Sequence, residues 1–258
     1  MSYLEDLFSL NGKVAVVTGA SRGLGKAMAE AVCRAGATTV LVATNKTLLQ
    51  ETQQRLVDDG LDAHVITADL SDPEAGNRLI DQVVEDHARI DVLANCAGVT
   101  MQGHALDYTD DDWNKTLQVN LAAPLQLTRR AGAIMKEQGT GGSIINITSI
   151  AAERGAANNP AYGASKGGLK MMTKCLAEDL SPFGIRVNNL GPGYFRTDMS
   201  TFSWNDPERR KQRSASTMLG RWGMPEDLAG LTVLLASDAG SYITAQDFYV
   251  DGGWLAKL

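Results

Sequence analysis

The chain has 258 residues, of which 44% are hydrophobic, with a net charge of −6 and an isoelectric point of ≈ 5.1. This acidic balance argues against a polyanion-binding surface, so we expect no nucleic-acid partner. No apolar run approaches the ~20 residues of a membrane-spanning helix, and the acidic N-terminus lacks a signal-peptide pattern, so we expect a cytoplasmic protein without a membrane partner.

The cysteines and histidines show neither a disulfide pattern nor a metal-ligand pattern. The three cysteines are widely spaced in apolar surroundings, which is typical of free thiols in a reducing compartment: Cys33, Cys96 and Cys175. The three histidines show no ligand spacing with one another or with cysteine. We therefore expect no protein-bound metal.

Seven apolar runs of strand length alternate with helical patterns along the chain. The predicted strands are residues 13–18, 38–43, 63–68, 90–94, 143–148, 185–190 and 246–250. The predicted helices are residues 26–35, 46–58, 73–88, 109–137, 159–180 and 225–236. Because strands that alternate with helices form parallel sheets covered on both faces, we predict one α/β domain over residues 1–258, with a doubly wound seven-stranded parallel sheet (a Rossmann fold).

A glycine-rich turn with Gly19, Gly23 and Gly25 lies between the first predicted strand and the first predicted helix. Glycines at this spacing let the chain turn sharply and let a pyrophosphate approach the backbone. The helix N-terminus then offers free N–H groups to the anion. A turn of this composition without a ligand is the alternative interpretation. The position of the turn at the head of an α/β alternation favours dinucleotide binding.

Tyr162 and Lys166 are four residues apart on the predicted helix 159–180, so their side chains leave one face of that helix. Ser149 directly follows the predicted strand 143–148 and would bring a hydroxyl to the same place. A close cation favours phenolate and lowers the phenol pKa from about 10, which would give a proton-transfer group useful near pH 7. Taken alone, a Tyr–Lys pair at this spacing is also compatible with an ordinary solvated helix face.

These features together resemble the short-chain dehydrogenase/reductase family over nearly the whole chain. The matching segments are residues 18–25, Asp69, residues 95–98, Asn120, Ser149, residues 162–166 and residues 192–193. The resemblance implies that Tyr162 is the general acid/base of hydride transfer and that Ser149 hydrogen-bonds the substrate oxygen. It further implies that Lys166 lowers the pKa of Tyr162 and binds the nicotinamide ribose, and that Asn120 holds a water linking Lys166 to solvent. Cys96 replaces an asparagine often found at its position, a change expected to affect local packing only.

The resemblance also implies a nicotinamide cofactor at the carboxyl ends of the strands. NAD-selective sites usually carry a carboxylate after the second strand, whereas Ala43 is followed here by Thr44, Asn45 and Lys46. Arg22 and Lys46 could face a 2′-phosphate, so we expect NADP(H) over NAD(H), with a solvent-facing Arg22 as the alternative. The expected cofactor contacts are Gly19, Ser21, Arg22, Gly23, Leu24, Gly25, Thr44, Asn45, Asp69, Leu70, Asn95, Ala97, Gly98, Tyr162, Lys166, Pro192, Gly193 and Thr197.

Residues 193–223 are rich in charge, which predicts a lid over cofactor and substrate; a solvated surface helix from 206 to 216 fits the same residues. Segments 193–199, 220–230 and 250–256 resemble the gluconate 5-dehydrogenase and 2-dehydro-3-deoxygluconate dehydrogenase branch. This implies a sugar acid or a related polyhydroxy ketone as the small-molecule substrate. Relatives in that branch often carry an arginine just after the segment that matches residues 95–98. Here residues 99–103 contain no cation. Arg154 or Arg196 would then hold a substrate carboxylate, beside Ser149 and Tyr162.

Two other functions share parts of this pattern. A 3-oxoacyl-[acyl-carrier-protein] reductase shares the glycine turn and the cofactor pattern. It would need a basic docking patch, for which Arg129 and Arg130 are the one candidate. A non-catalytic NADP-binding protein is the weaker alternative, because all four catalytic positions are intact.

The two long predicted helices, 109–137 and 159–180, carry more apolar surface than one face of a sheet needs. The family pairs these helices across two-fold axes. The resemblance therefore implies a homotetramer.

Overall fold

The computed structural model describes residues 2–257, whose strands lie in one parallel sheet. The strands are β1 (Val14–Thr18), β2 (Thr38–Ala43), β3 (Ala63–Thr67), β4 (Val92–Asn95), β5 (Gly142–Ile147), β6 (Ile185–Pro192) and β7 (Asp247–Val250). Their order is β3–β2–β1–β4–β5–β6–β7, and every neighbouring pair runs parallel. The predicted doubly wound sheet is confirmed, and every strand begins and ends within two residues of its predicted bounds.

Helices cover both faces of the sheet. Over residues 2–257 the α-helices are α1 (Tyr3–Phe8), α2 (Gly23–Arg34), α3 (Lys46–Asp58), α4 (Ala75–His87), α5 (Asp110–Leu117), α6 (Ala123–Gln138), α7 (Pro160–Leu180), α8 (Thr201–Asn205), α9 (Pro207–Ser216) and α10 (Ala229–Ala236). Helix α2 begins three residues before its predicted start, because two glycines of the turn belong to its first helical turn. Helix α1 buries no residue and so left no apolar pattern to detect. In the same range, none of the helices has the length and apolar content needed to cross a bilayer.

The strands are buried on both faces of the sheet, so their side chains pack into two separate hydrophobic cores. Val17 and Leu41 pack into one core with α2 and α3, whereas Val16 and Val40 pack into the other with α4 and α6. This alternation follows from the two-residue period of a strand. It explains why β1 and β2 are continuous apolar runs and not alternating ones.

The long helix predicted over 109–137 is interrupted by one π-helical segment, Gln118–Ala122, between α5 and α6. Pro124 lies two residues after this segment and has no backbone N–H, so it cannot bond the carbonyl of Asn120 as an α-helix requires. The widened turn places Asn120 inward, where its side chain is fully buried. π-helical segments recur at functional sites, and this one lies beside the candidate site described next.

The chain order reverses beside β1, because β2 and β3 lie on one side of β1 and β4 lies on the other. In open α/β sheets, ligands bind in the crevice outside the carboxyl ends of the strands at such a reversal. The chemistry of this molecule is therefore expected at the ends of β1, β4 and β5.

Candidate active site

The glycine turn after β1 leaves room only for backbone. Gly19 has a φ of +71°, and a Cβ on it would lie 3.0 Å from the backbone nitrogen of Ala97. A Cβ on Gly25 would lie 2.3 Å from the Gly19 carbonyl oxygen, which is closer than real atoms approach. The turn thus packs the start of α2 directly against the end of β1. Its open side exposes backbone at a helix N-terminus, as a pyrophosphate requires, so these residues fit a dinucleotide.

Thr18 joins the ends of β1 and β4 and was assigned no role from the sequence. Its buried hydroxyl accepts hydrogen bonds from the backbone N–H groups of Cys96 and Ala97, both at 3.0 Å, and donates to the Ala94 carbonyl at 3.3 Å. These bonds hold the glycine turn and the 95–98 segment together. A polar residue that ends an apolar strand just before a glycine turn was the available signal.

The predicted Asn120 side chain lies near Lys166, and its hydrogen-bonding groups are largely occupied. Its Oδ1 accepts from the Val99 N–H at 2.8 Å, while its Nδ2 donates to the Val99 carbonyl at 2.9 Å and to the Ser165 hydroxyl at 3.1 Å. A Cβ on Gly98 would lie 3.4 Å from Asn120 Oδ1 and 3.7 Å from Lys166 Nζ. Asn120 therefore ties the loop after β4 to α7, and only one lone pair of its Oδ1 remains for a water.

Ser149, Tyr162 and Lys166 lie close together in the structure, as their positions in the sequence predict. Lys166 and Tyr162 share one face of α7, with Nζ 5.7 Å from the centre of the phenol ring. Lys166 Nζ also donates to the carbonyl of Ile147, the last residue of β5, at 2.7 Å. Ser149 follows β5 and caps a short 3-10 turn, accepting from the Ala151 N–H at 3.1 Å. The end of β5 thus meets the first turns of α7.

Burial dominates the acid–base character of the trio. It raises the pKa of the Tyr162 phenol, and the neighbouring Ser149 hydroxyl opposes this only in part. Burial also lowers the pKa of Lys166 to about 8. The pKa of Tyr162 is therefore raised overall in this structure because burial is its largest cause, and the expected lowering by Lys166 stays a prediction. A phenol that keeps its proton at neutral pH is a general acid, suited to protonating a carbonyl oxygen as that oxygen gains charge.

The predicted cofactor residue Asn95 directs its side chain into the sheet. Its Nδ2 donates to Asn146 Oδ1 on β5 at 2.8 Å, and Asn146 in turn donates to the Thr173 hydroxyl on α7 at 2.8 Å. The Thr173 hydroxyl donates to Asn189 Oδ1 on β6 at 2.7 Å. This buried polar chain links β4, β5 and β6 to the helix that carries Tyr162. The Asn95 side chain therefore supports the frame of the site, and a cofactor there would meet its backbone.

The end of β2 carries no carboxylate. Thr44 and Lys46 are exposed, and Asn45 caps α3 by accepting from the Leu48 N–H at 3.0 Å. Arg22, also exposed, leaves the glycine turn, and its Nη1 lies 3.3 Å from Asp198 Oδ2. The end of β2 thus offers no carboxylate to a ribose 2′-OH, and Arg22 and Lys46 are exposed cations after β1 and β2.

The remaining predicted cofactor positions lie along the same edge. After β3, the Asp69 carboxylate accepts from the Ser71 N–H at 2.9 Å, a bond that lowers the pKa of Asp69, and Leu70 is buried beside it. Pro192 ends β6, and a Cβ on Gly193 would lie 2.7 Å from Asp251. The other members sit around the glycine turn: Ser21 and Leu24 are half-buried within it, and Thr197 approaches Gly23.

The two candidate substrate arginines pack on tryptophans. The Arg154 guanidinium lies 5.3 Å from the ring centre of Trp254, which also contacts Tyr194 edge-on at 5.9 Å. The Arg196 guanidinium lies 4.9 Å from the ring centre of Trp204, on α8. Among residues 2–257, neither arginine side chain forms a hydrogen bond or an ion pair, and Arg154 follows Ser149 by five residues in the chain. Trp254 was missed because its partner is 100 residues away in the chain.

The predicted segment 193–223 contains a 3-10 turn, Asp198–Ser200, followed by α8 and α9. Helix α9 buries no residue, so the surface-helix interpretation of 206–216 agrees with the structure. Helices α8 and α9 pack on the rest of the molecule mainly through aromatic and arginine side chains. Trp204 meets Trp222 edge-on at 5.4 Å, and Arg213 lies 4.7 Å from the ring centre of Tyr194.

Comparison with known proteins finds oxidoreductases similar to nearly the whole chain. Residues 19–255 match the family model described as enoyl-(acyl carrier protein) reductase. The 2-dehydro-3-deoxy-D-gluconate 5-dehydrogenase of Bacillus subtilis (strain 168) is 37% identical over 257 residues, which cover 100% of each chain.

Two solved structures have almost the same fold. A putative NAD(P)-dependent gluconate 5-dehydrogenase from Beutenbergia cavernae, with bound NADP, is 38% identical with a TM-score of 0.93, covering 97% of this chain and 99% of that one. A gluconate 5-dehydrogenase from Burkholderia cenocepacia J2315, in complex with NADP and tartrate, is 30% identical with a TM-score of 0.94, covering 99% of this chain and 100% of that one.

Proposed function

The chain belongs to the short-chain dehydrogenase/reductase family, and we propose that within it the protein is an NADP(H)-dependent dehydrogenase of sugar acids. The reaction would interconvert a secondary alcohol and a ketone on a polyhydroxy carboxylate such as gluconate, 5-ketogluconate or 2-dehydro-3-deoxygluconate. The observation that carries this proposal is the assembled trio of Ser149, Tyr162 and Lys166 in a chain whose full length matches a 2-dehydro-3-deoxy-D-gluconate 5-dehydrogenase.

The trio supplies the proton and the hydrogen bonds of this reaction. A bound nicotinamide would supply or accept the hydride. In reduction, charge develops on the substrate oxygen, where Ser149 donates a hydrogen bond and Tyr162 donates a proton. The buried Lys166 ammonium favours the phenolate left behind, while its bond to Ile147 fixes its position.

Arg154 supports an acid as substrate. It is exposed and lies on the face of Trp254, so the guanidinium is oriented while its N–H groups stay free for a carboxylate. No other arginine lies within six residues of Ser149 in the chain. We propose that Arg154 holds the substrate carboxylate at the mouth of the site.

A substrate panel tests the proposed function. Sugar acids, neutral sugars, simple ketones and 3-oxoacyl thioesters would be assayed with NADP and NADPH. We expect the highest kcat/KM for a sugar acid, and an Arg154→Gln variant should lose about ten-fold in kcat/KM for the acid but little for a neutral sugar. Acyl thioesters turned over faster than every sugar acid would contradict the assignment.

The preference for NADP(H) is part of the proposal. It is supported by the absence of a carboxylate at 43–46, by the position of Arg22 and by the NADP bound in both solved relatives. We expect kcat/KM to be at least about ten-fold higher with NADPH than with NADH, because Arg22 would pair with the 2′-phosphate. Comparable kcat/KM values with the two cofactors would remove this preference.

A 3-oxoacyl-[acyl-carrier-protein] reductase is the second candidate, favoured by the family model's description and by exposed apolar side chains in segment 193–223: Met199, Phe202, Met218 and Leu219. Its docking patch is weaker than the sequence suggested. Arg130 Nε lies 2.6 Å from Asp81 Oδ1, which leaves Arg129 as the one member of the pair without an ion-pair partner within residues 2–257. The substrate panel separates the two candidates.

We further propose a homotetramer that pairs α5–α6 and α7 across two-fold axes. Large apolar side chains on these helices face solvent, with Trp113 38%, Leu125 40% and Met171 60% exposed. Burying such residues is the usual reason for association. A monomeric mass at micromolar concentration would contradict this.

The role of residues 193–223 as a lid and the cytoplasmic location of the protein remain predictions.

A further inference from the structure

The glycine turn and segment 193–223 touch at two adjacent points. Arg22 Nη1 lies 3.3 Å from Asp198 Oδ2, and a Cβ on Gly23 would lie 3.5 Å from Thr197 Cβ. The turn is a predicted phosphate site, whereas Asp198 begins the 3-10 turn that leads into α8. One ion pair therefore connects the cofactor end of the sheet to the start of the predicted lid.

The Asp198 carboxylate is held in place by its own turn. The Thr197 N–H donates to the Ser200 hydroxyl at 3.0 Å, and that hydroxyl donates to the Phe195 carbonyl at 2.6 Å. These hydrogen bonds fix the backbone around Asp198. The Asp198 side chain therefore loses little conformational entropy when it pairs with Arg22. The contact is a property of the turn and not of a loose surface chain.

The ion pair is weak enough to be exchanged. The Arg22 and Asp198 side chains are 66% and 63% exposed, so solvent screens their attraction. A 2′-phosphate carries more negative charge than a carboxylate and offers three acceptor oxygens, so it competes well for one guanidinium. Only Nη1 of Arg22 contacts Asp198, so a phosphate that binds the guanidinium bidentately through Nη1 would displace the carboxylate.

We propose that Asp198 is a specificity-determining residue that competes with the cofactor's 2′-phosphate for Arg22. This inference rests on the proposed preference for NADP(H). When the 2′-phosphate takes Arg22, Asp198 loses its partner and the start of segment 193–223 is released. NADH has no phosphate at that position, so it leaves the Arg22–Asp198 pair closed. The lid thus responds to which cofactor is bound.

Binding measurements test the competition. In the full-length enzyme, Asp198→Asn is expected to bind NADPH and adenosine 2′,5′-bisphosphate about two- to five-fold more tightly, because a weak competing pair is removed. Its affinity for NADH should be unchanged. Glu208→Gln is the matched control, since Glu208 is an exposed carboxylate on α9. An Asp198→Asn variant that binds both probes no more tightly than the Glu208→Gln control would overturn the proposal.

A double-mutant cycle shows that the effect passes through Arg22. In an Arg22→Ala background, Asp198→Asn should leave the affinity for adenosine 2′,5′-bisphosphate unchanged, because no guanidinium remains to compete for. The same gain in affinity with and without Arg22 would mean that Asp198 merely repels the phosphate, which contradicts competition.

The rate of limited trypsin digestion measures how accessible segment 193–223 is, and it does not depend on catalysis by the enzyme. Arg209, Arg210 and Lys211 on α9 are exposed, so we expect trypsin to cleave after them. We expect Asp198→Asn to be cleaved about two- to five-fold faster there, and adenosine 2′,5′-bisphosphate to accelerate cleavage of the wild type where 5′-AMP does not. Equal cleavage rates under all these conditions would overturn the release of the lid.

These outcomes separate the two proposals. If the ratio of NADPH to NADH affinities in the wild type is close to one, the proposed cofactor preference fails, and the competition fails with it. If the wild type prefers NADPH but Arg22→Ala leaves that ratio unchanged, Arg22 does not hold the 2′-phosphate and the competition alone is wrong. If Arg22→Ala lowers that ratio while Asp198→Asn behaves like the Glu208→Gln control, the cofactor preference stands and the competition alone is wrong.

Discussion

A Tyr162→Phe variant is expected to lose about 10²- to 10⁴-fold in kcat, the range that one positioned acid contributes. The substitution removes only the hydroxyl, which is the group that would protonate the substrate oxygen. The ring stays, so the packing of α7 on the end of β5 and the affinity for NADPH should change little. Stopped-flow transfer of hydride from bound NADPH measures the loss directly.

Tyr242→Phe is the control for this substitution, because Tyr242 is fully exposed and far along the chain from the site. It should match the wild type in turnover and in NADPH affinity. Turnover by Tyr162→Phe at the wild-type rate would exclude Tyr162 as the acid. Lost NADPH affinity in that variant would show instead that the hydroxyl has a binding role.

A Lys166→Met variant is expected to lose activity and gain stability. Lys166 is 4% exposed, and burial lowers its pKa from the usual value of 10.5 to about 8. Holding this charge in the folded state costs about 3 kcal/mol at ~1.36 kcal/mol per pKa unit. Replacing it loses the bond to Ile147, worth about 1 kcal/mol. The net expectation is a free energy of unfolding higher by roughly 1 to 2 kcal/mol at pH 7, with kcat lower by about 10² or more.

The pH dependence of this gain has a definite sign. Below pH 8 the folded and unfolded chains both carry the Lys166 proton, so the burial penalty on the wild type is complete. Between pH 8 and 10.5 the unfolded chain binds more protons than the folded one, so wild-type stability rises with pH. Denaturant unfolding at pH 7 and pH 9.5 should therefore show the advantage of Lys166→Met shrinking. An advantage that grows with pH would contradict the assigned burial.

Lys170→Met is the matched control, one helical turn further along α7. Lys170 forms ion pairs with Glu153 and Asp247, and the bond to Glu153 raises the pKa of Lys170. Removing it breaks favourable pairs and leaves Glu153 without its cation, while Asp247 keeps its ion pair with Lys174 at 2.8 Å. This variant should therefore lose stability, the opposite sign to Lys166→Met, while keeping the chemistry.

The sheet and the glycine turn were predictable because their causes are local. Seven apolar runs, each bounded by turn residues, determine the strands, and a helix between successive runs determines that they pair in parallel. Tyr162 and Lys166 were predictable as neighbours because the i, i+4 spacing of a helix is independent of context.

Other features depend on packing between distant residues, and the sequence could not reveal them. The π-helical segment at Asn120 arises where Pro124 removes one backbone donor and Val99 receives the side chain from across the site. The pairs Arg22–Asp198 and Arg154–Trp254 join residues 176 and 100 positions apart. The raised pKa of Tyr162 follows from its burial, which no motif reports. Such features require the folded molecule.

Deuterium transfer tests the central claim most directly. The full-length enzyme would be incubated with NADPH that carries deuterium at both C4 positions and a keto sugar acid such as 5-ketogluconate, and the product would be analysed by mass spectrometry. The account predicts one deuterium on the new carbinol carbon of the sugar acid, and a transfer rate that Tyr162→Phe lowers by about 10² or more. A product without deuterium, or consumption of NADPH with an acyl thioester but with none of the sugar acids, would contradict it.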